Sequence, residues 1–122
     1  MTPLNFILVF IGGGAGSSLR YLIQLLTPRT ELPLSTLIVN IVGSFLIGLA
    51  LGLDDSLSKR LLITGFLGGF TTFSTFSNDN LQLLVKGKYT MFLIYFLTTL
   101  FTSLIATGIG YYISKMLNNE TV

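Results

Sequence analysis

From Leu4 to Leu26 the chain is apolar or small at every position except Asn5, Arg20 and Gln24, and from Leu34 to Leu53 it carries only Asn40 and a few hydroxyls. Two more stretches, Leu61 to Val85 and Tyr89 to Met116, are equally long. A helix crosses the hydrocarbon of a bilayer with about 20 residues. The pattern therefore predicts an all-α integral membrane protein with four transmembrane helices, over approximately 4–26, 34–53, 61–85 and 89–116, in a single membrane domain covering residues 1–122. The connections are Thr27 to Pro33, Asp54 to Arg60 and Lys86 to Lys88, too short for an extramembrane domain. The first span has a cleavage-like Ala15-Gly16-Ser17, but no Lys or Arg precedes Leu4. A signal peptide needs a basic leader, so a retained helix is expected.

Polar groups inside spans are expensive and each needs a partner or a wet cavity. In the second span Asn40, Ser44, Gly48 and Gly52 recur every fourth residue, close to one helix face. Small residues at that spacing read as helix packing. Asn40 either bonds a neighbouring helix or faces a wet cavity. The fourth span carries Tyr95, Thr99, Ser103, Thr107 and Tyr111 at the same step. Such steps drift by about 40° each on a 3.6-residue helix, so consecutive members form a hydroxyl track. The third span is the most informative, with Gly65, Gly68 and Gly69 followed by Thr71, Thr72, Ser74, Thr75 and Ser77 among Phe70, Phe73 and Phe76. Glycine and threonine weaken a helix interior, which predicts a broken third helix. Freed carbonyls at such a break are ligands for hard cations. Phe73 and Phe76 lie three apart on one face of the resumed helix; they either pack in the core or turn their electropositive ring edges toward a small anion.

Composition agrees and narrows the chemistry. Only 10% of residues are charged against 51% hydrophobic, where a soluble domain carries roughly 25% charged residues. With no Cys and no His, zinc and haem sites of the usual kind, disulfides and His-based acid–base catalysis are excluded. An enzyme is not expected. The seven basic residues are scattered, which speaks against nucleic acid. They also divide almost evenly between the two sides that four spans define. One side holds Lys59, Arg60 and Lys115; the other holds Arg29, Lys86 and Lys88, with Arg20 near enough to snorkel. Orientation follows the Lys/Arg bias of short loops, so the chain either inserts weakly biased in one orientation or inserts in both. In the second case two opposed copies form an antiparallel dimer about an axis in the membrane plane.

The runs Gly12-Gly13-x-x-Gly16-Ser17-x-x-Arg20-Tyr21, Pro33-x-x-Thr36-Leu-x-Val-Asn40 and Gly65-Phe-x-Gly68-Gly69-x-Thr-Thr-Phe73-Ser-Thr-Phe76-Ser77 together resemble the Fluc (CrcB) family of bacterial fluoride channels nearly end to end. Ser17 stands where that family commonly has Ala, Ser35 where it has Gly, and Asp79 where it often has Glu. The resemblance implies a multi-pass protein of the bacterial inner membrane, an antiparallel dual-topology dimer with two fluoride pathways, and a structural sodium ion (Na+) at the dimer interface. It implies that Gly68 and Thr71 hold that sodium by backbone carbonyls and that Phe73 and Phe76 are pore phenylalanines. By the same resemblance Asn40, Ser74, Thr75, Tyr95, Thr99 and Ser103 line the path, and Arg20 and Asp79 lie near its mouths. The partner is a second copy, or a paralogue in a heterodimer; the complete signature and hydroxyl track favour the homodimer.

Two other classes share the size. A small proton-coupled multidrug antiporter needs a carboxylate deep in the bilayer, and the only acid within a span is Asp79, after the expected break. A non-conducting membrane subunit needs packing faces but no aligned hydroxyls. Fluoride is small and strongly hydrated, so a selective path must replace water by many short donors, and a fixed lysine at mid-span would trap the ion. The sequence has the hydroxyls and lacks the lysine.

Overall fold

The computed structural model describes residues 2–53 and 56–118, and within them the chain is helical almost throughout. Helix α1 runs Pro3–Leu26; the Thr2 hydroxyl accepts the Asn5 amide and Pro3 opens the first turn, a position where its missing N–H costs nothing. Helix α2 runs Leu34–Leu51 and helix α6 Tyr89–Leu117. These three are the described helices long and apolar enough to cross a membrane.

The third apolar stretch is divided. Ser56 caps α3 (Leu57–Leu61) by accepting the Lys59 amide, so this helix begins inside the segment expected to be a loop. A polar N-cap three residues ahead of a donor is enough to start it. The chain continues as a π-helical stretch, Leu62–Leu67, and a last α turn, α4 (Gly68–Phe70). It then leaves helical geometry at Thr71 and Thr72 and resumes as α5 (Phe73–Val85). Each half is about 20 Å long at 1.5 Å per residue, short of the ~30 Å hydrocarbon core.

The interruption does not fall on the glycines. Gly68 and Gly69 are still helical, and the glycines serve close approach instead. A Cβ at Gly16 would collide with the Phe66 carbonyl, and one at Gly69 with the Gly13 carbonyl. Helix α1 thereby lies backbone to backbone against the π stretch and α4. Helix α2 packs along α6 by the same device, since a Cβ at Gly48 would meet the Thr107 carbonyl. This supports the packing reading of Gly48. At the far end of that pair Asn118 donates to the Gly52 carbonyl at 3.3 Å. The buried core, Phe76, Leu83 and Tyr95 with Leu37, Phe92 and Phe96 around it, joins α5 to α2 and α6.

These contacts separate two kinds of glycine. Gly16→Val is expected to destabilise the protein by about 1–3 kcal/mol through overpacking, whereas Gly108→Ala, with open space around its Cβ, is expected to be neutral or stabilising by up to ~1 kcal/mol. Unfolding in detergent with increasing SDS measures both.

Candidate functional site

Where a chain leaves helix inside an apolar bundle, its peptide groups need other partners. Thr71 (φ −82°, ψ 157°) and Thr72 (φ −148°, ψ 115°) are extended. The Asn40 amide from α2 meets them with both ends: its Nδ2 donates to the Thr72 carbonyl at 3.1 Å and its Oδ1 accepts the Thr72 N–H at 2.8 Å. Of the two openings left by the sequence, the bond to a neighbouring segment is the one realised, and Asn40 also lines a groove. The Thr72 hydroxyl caps α5 by accepting the Thr75 amide at 3.2 Å. Leu67's carbonyl accepts both the amide and the hydroxyl of Thr71. Gly69's carbonyl accepts Ser17 Oγ at 3.3 Å and Arg20 Nε at 3.2 Å. None of these bonds ends on the carbonyls of Gly68 or Thr71.

A groove of about 190 Å³ runs beside the break, lined by Asn40, Ser44, Thr72, Phe73, Phe76, Thr99, Leu100 and Ser103. Phe73 and Phe76 stand at its edge with ring centroids 5.7 Å apart and tilted by 52°. Thr99 and Ser103 line it too, and their hydroxyls are buried with no hydrogen-bond partner. That is unusual, since buried polar groups are nearly always paired. The next hydroxyl of the track along α6 is already spent: Thr107 donates back to the Ser103 carbonyl at 3.0 Å.

The remaining candidates fall into three places. Ser74 and Thr75 do not line the groove; both hydroxyls meet that of Thr72, at 3.4 and 3.0 Å. Tyr95 and Asp79 pair one turn further on, Tyr95 donating to the carboxylate at 3.0 Å, with the buried Thr36 hydroxyl beside both and the Tyr95 ring 5.4 Å from that of Phe76. Asp79 also lines a wide polar pocket with Arg29, Glu31, Lys86 and Lys88, where Lys88 and Glu31 pair at 3.2 Å. Arg20 is held on the opposite side of the break, at Gly69. Ser44, Thr72 and Leu100 were not singled out as lining residues by the sequence. The Thr72-x-x-Thr75 spacing is the signal that marks Thr72 as a cap.

Among the described residues no group of three His, Cys, Asp or Glu side chains converges, so a cation held in this region would rest on carbonyl oxygens, which suit a hard ion.

Residues 7–111 match the family model described as CrcB-like protein, Camphor Resistance (CrcB). The chain belongs to the CrcB family. The match takes in the break and both walls of the groove. Among individual CrcB-family relatives, a protein of Gloeothece citriformis is 44% identical over 92% of this chain and 98% of its own length. One of Azobacteroides pseudotrichonymphae is 41% identical over 88% and 94%, and one of Phocaeicola vulgatus is 40% identical over 91% and 98%. Each of the three bears the name fluoride-specific ion channel FluC. With three apolar helices of crossing length, this CrcB-family chain is a multi-pass protein of the cell membrane.

Asn40→Ala strips both partners from the Thr72 peptide at once. It is expected to cost about 1–3 kcal/mol or more, the penalty of leaving buried donors and acceptors unmade, read as a lowered thermal midpoint of the purified protein.

Proposed function

We propose that this protein is a fluoride-selective channel that lets fluoride leave the cytoplasm passively, working as a homodimer of oppositely oriented copies with a structural sodium ion. The observation that carries the reading is the pair of buried, unpartnered hydroxyls of Thr99 and Ser103, on residues that line one groove together with Phe73 and Phe76. Hydroxyl protons are short donors for a small anion, and aromatic ring edges are weakly positive. Asn40 has two N–H bonds, one spent on Thr72, so it adds a further donor. No lysine or arginine lines the groove, and an anion that binds neutral donors is free to move on.

A fourth crossing and a second copy follow from what the single chain exposes. The two halves α3–α4 and α5 are each too short to span alone, and their sum is sufficient. Phe73 is 76% exposed, and Ser74, Ser77 and Asn78 beside it are exposed as well. Polar groups left against hydrocarbon are costly, so this face calls for protein. The near-tie of basic residues supports a partner inserted the other way up. At the break the Gly68 and Thr71 carbonyls would hold sodium, whose charge offsets the cost of burying unbonded carbonyl dipoles there. Asp79, the only acid inside a helix among the described residues, is engaged by Tyr95, which disfavours the proton-coupled antiporter.

Two measurements test this. In liposomes, Phe76→Ile and Thr99→Val should each cut fluoride efflux roughly tenfold or more, while Thr99→Val leaves thermal stability unchanged or raised because it deletes an unsatisfied buried hydroxyl. Full flux in both variants would return these residues to core packing. Cysteines placed at Ser58 and at Thr90 should each be labelled in part from either side of the membrane. Labelling of each site from one side only would overturn the dual-topology dimer.

A further inference from the structure

At the end of the helical segment that stops at Phe70, the last carbonyls lose their intrahelical donors, and side chains decide which of them stay available. Leu67's carbonyl is taken by Thr71 within the same segment. Gly69's is taken from outside, by two side chains one turn apart on α1. Arg20 is half-buried and turns its guanidinium inward to a carbonyl rather than out toward a headgroup. The backbone contact of α1 with Gly69 brings it within reach. A guanidinium at a helix C-terminus is favoured by the dipole and binds a carbonyl more firmly than a neutral donor does.

We infer that Arg20, seconded by Ser17, is a positioning residue for the carbonyl cation site. By fixing the Gly69 peptide toward α1 it takes that carbonyl away from the helix end and anchors the backbone between Gly68 and the break, leaving the Gly68 and Thr71 carbonyls, one on each side of it, available to a cation. The inference rests on the sodium reading above. It opposes the simpler view of Arg20 as an anion-attracting charge at a pore mouth, and the two views differ in sign. A guanidinium near a bound cation repels it. If Arg20 acted through charge alone, removing it would tighten sodium binding; if it acts by positioning, removing it loosens sodium binding.

The test is the thermal midpoint of the purified dimer against sodium concentration, at constant ionic strength with a large organic cation as replacement, alongside fluoride efflux across the same series. A ligand that binds only the folded state raises the midpoint in proportion to its affinity. Arg20→Gln should move the sodium response to about tenfold higher concentration, the equivalent of one charge-assisted hydrogen bond. Efflux should recover at saturating sodium. Arg20→Lys, which keeps charge and a donor, should lie between Arg20→Gln and the unaltered protein. Ser17→Ala should shift the response in the same direction by a smaller factor, and it carries the test should Arg20→Gln fail to assemble. An unmoved or tighter sodium response, or efflux lowered equally at every sodium concentration, overturns the inference and leaves the sodium site standing. Absence of any sodium response in the unaltered protein overturns the site itself, and the positioning role with it.

Discussion

The fold turns on one pairing, that of the Asn40 amide with the Thr72 peptide. An apolar bundle tolerates non-helical backbone only where something inside it replaces the missing helical bonds, and a carboxamide, with donor and acceptor on separate atoms, can meet a backbone N–H and C=O together. With that peptide satisfied, Thr72 is free to start a new helix with its hydroxyl. The restart fixes the phase of α5, and the phase places Phe73 at the surface and Phe76 in the core beside Tyr95. Asn40 therefore does two things at once: it holds the break, and it lines the groove beside it.

Close approach of α1 does the rest. Because Gly13, Gly16, Gly65 and Gly69 lack side chains where the two segments meet, α1 touches backbone, and donors on α1 reach the carbonyls of a different helix. Larger residues would hold Ser17 and Arg20 too far away. Packing and carbonyl chemistry are thus coupled through the same few glycines, and a bulky substitution there is felt at the break even if the bundle survives.

The sequence made some of this legible and hid the rest for physical reasons. Long apolar runs declare helices by length alone, so α1, α2 and α6 were readable to within two residues at each end, while α3 began earlier than hydropathy suggested because its start depends on the Ser56 cap. The run from Gly65 to Ser77 announced disrupted helix, but helix propensity spread the weakness over glycines and threonines alike and did not say which would leave helical geometry. Gly68 and Gly69 stay helical, Gly69 packed against the α1 backbone, and the departure falls on the threonines. Spacing put Tyr95, Thr99, Ser103, Thr107 and Tyr111 on a common track, yet it does not tell which hydroxyls are spent on their own helix. Thr107 is; Thr99 and Ser103 are not. Ser44 was read as packing like its neighbours Gly48 and Gly52, and only the position of α2 relative to α5 brings it to the groove.

On the proposed function, the unspent hydroxyls would serve a path that has to recognise the most strongly hydrated of the halides. A donor already satisfied within the protein must break a bond before it serves an anion, and the anion must repay that loss. Each unsatisfied buried hydroxyl instead costs the protein about 1–3 kcal/mol in advance, held in place by the α2–α6 and α5–α6 packing. That prior cost is what makes the donors available without rearrangement, the same logic by which preorganised dipoles act elsewhere. It also sets a limit on how tightly the ion is held, since neutral hydroxyls and ring edges offer no fixed charge. Thr107 draws the boundary: its hydroxyl has a carbonyl of its own, and the groove, which reaches Ser103, does not include it.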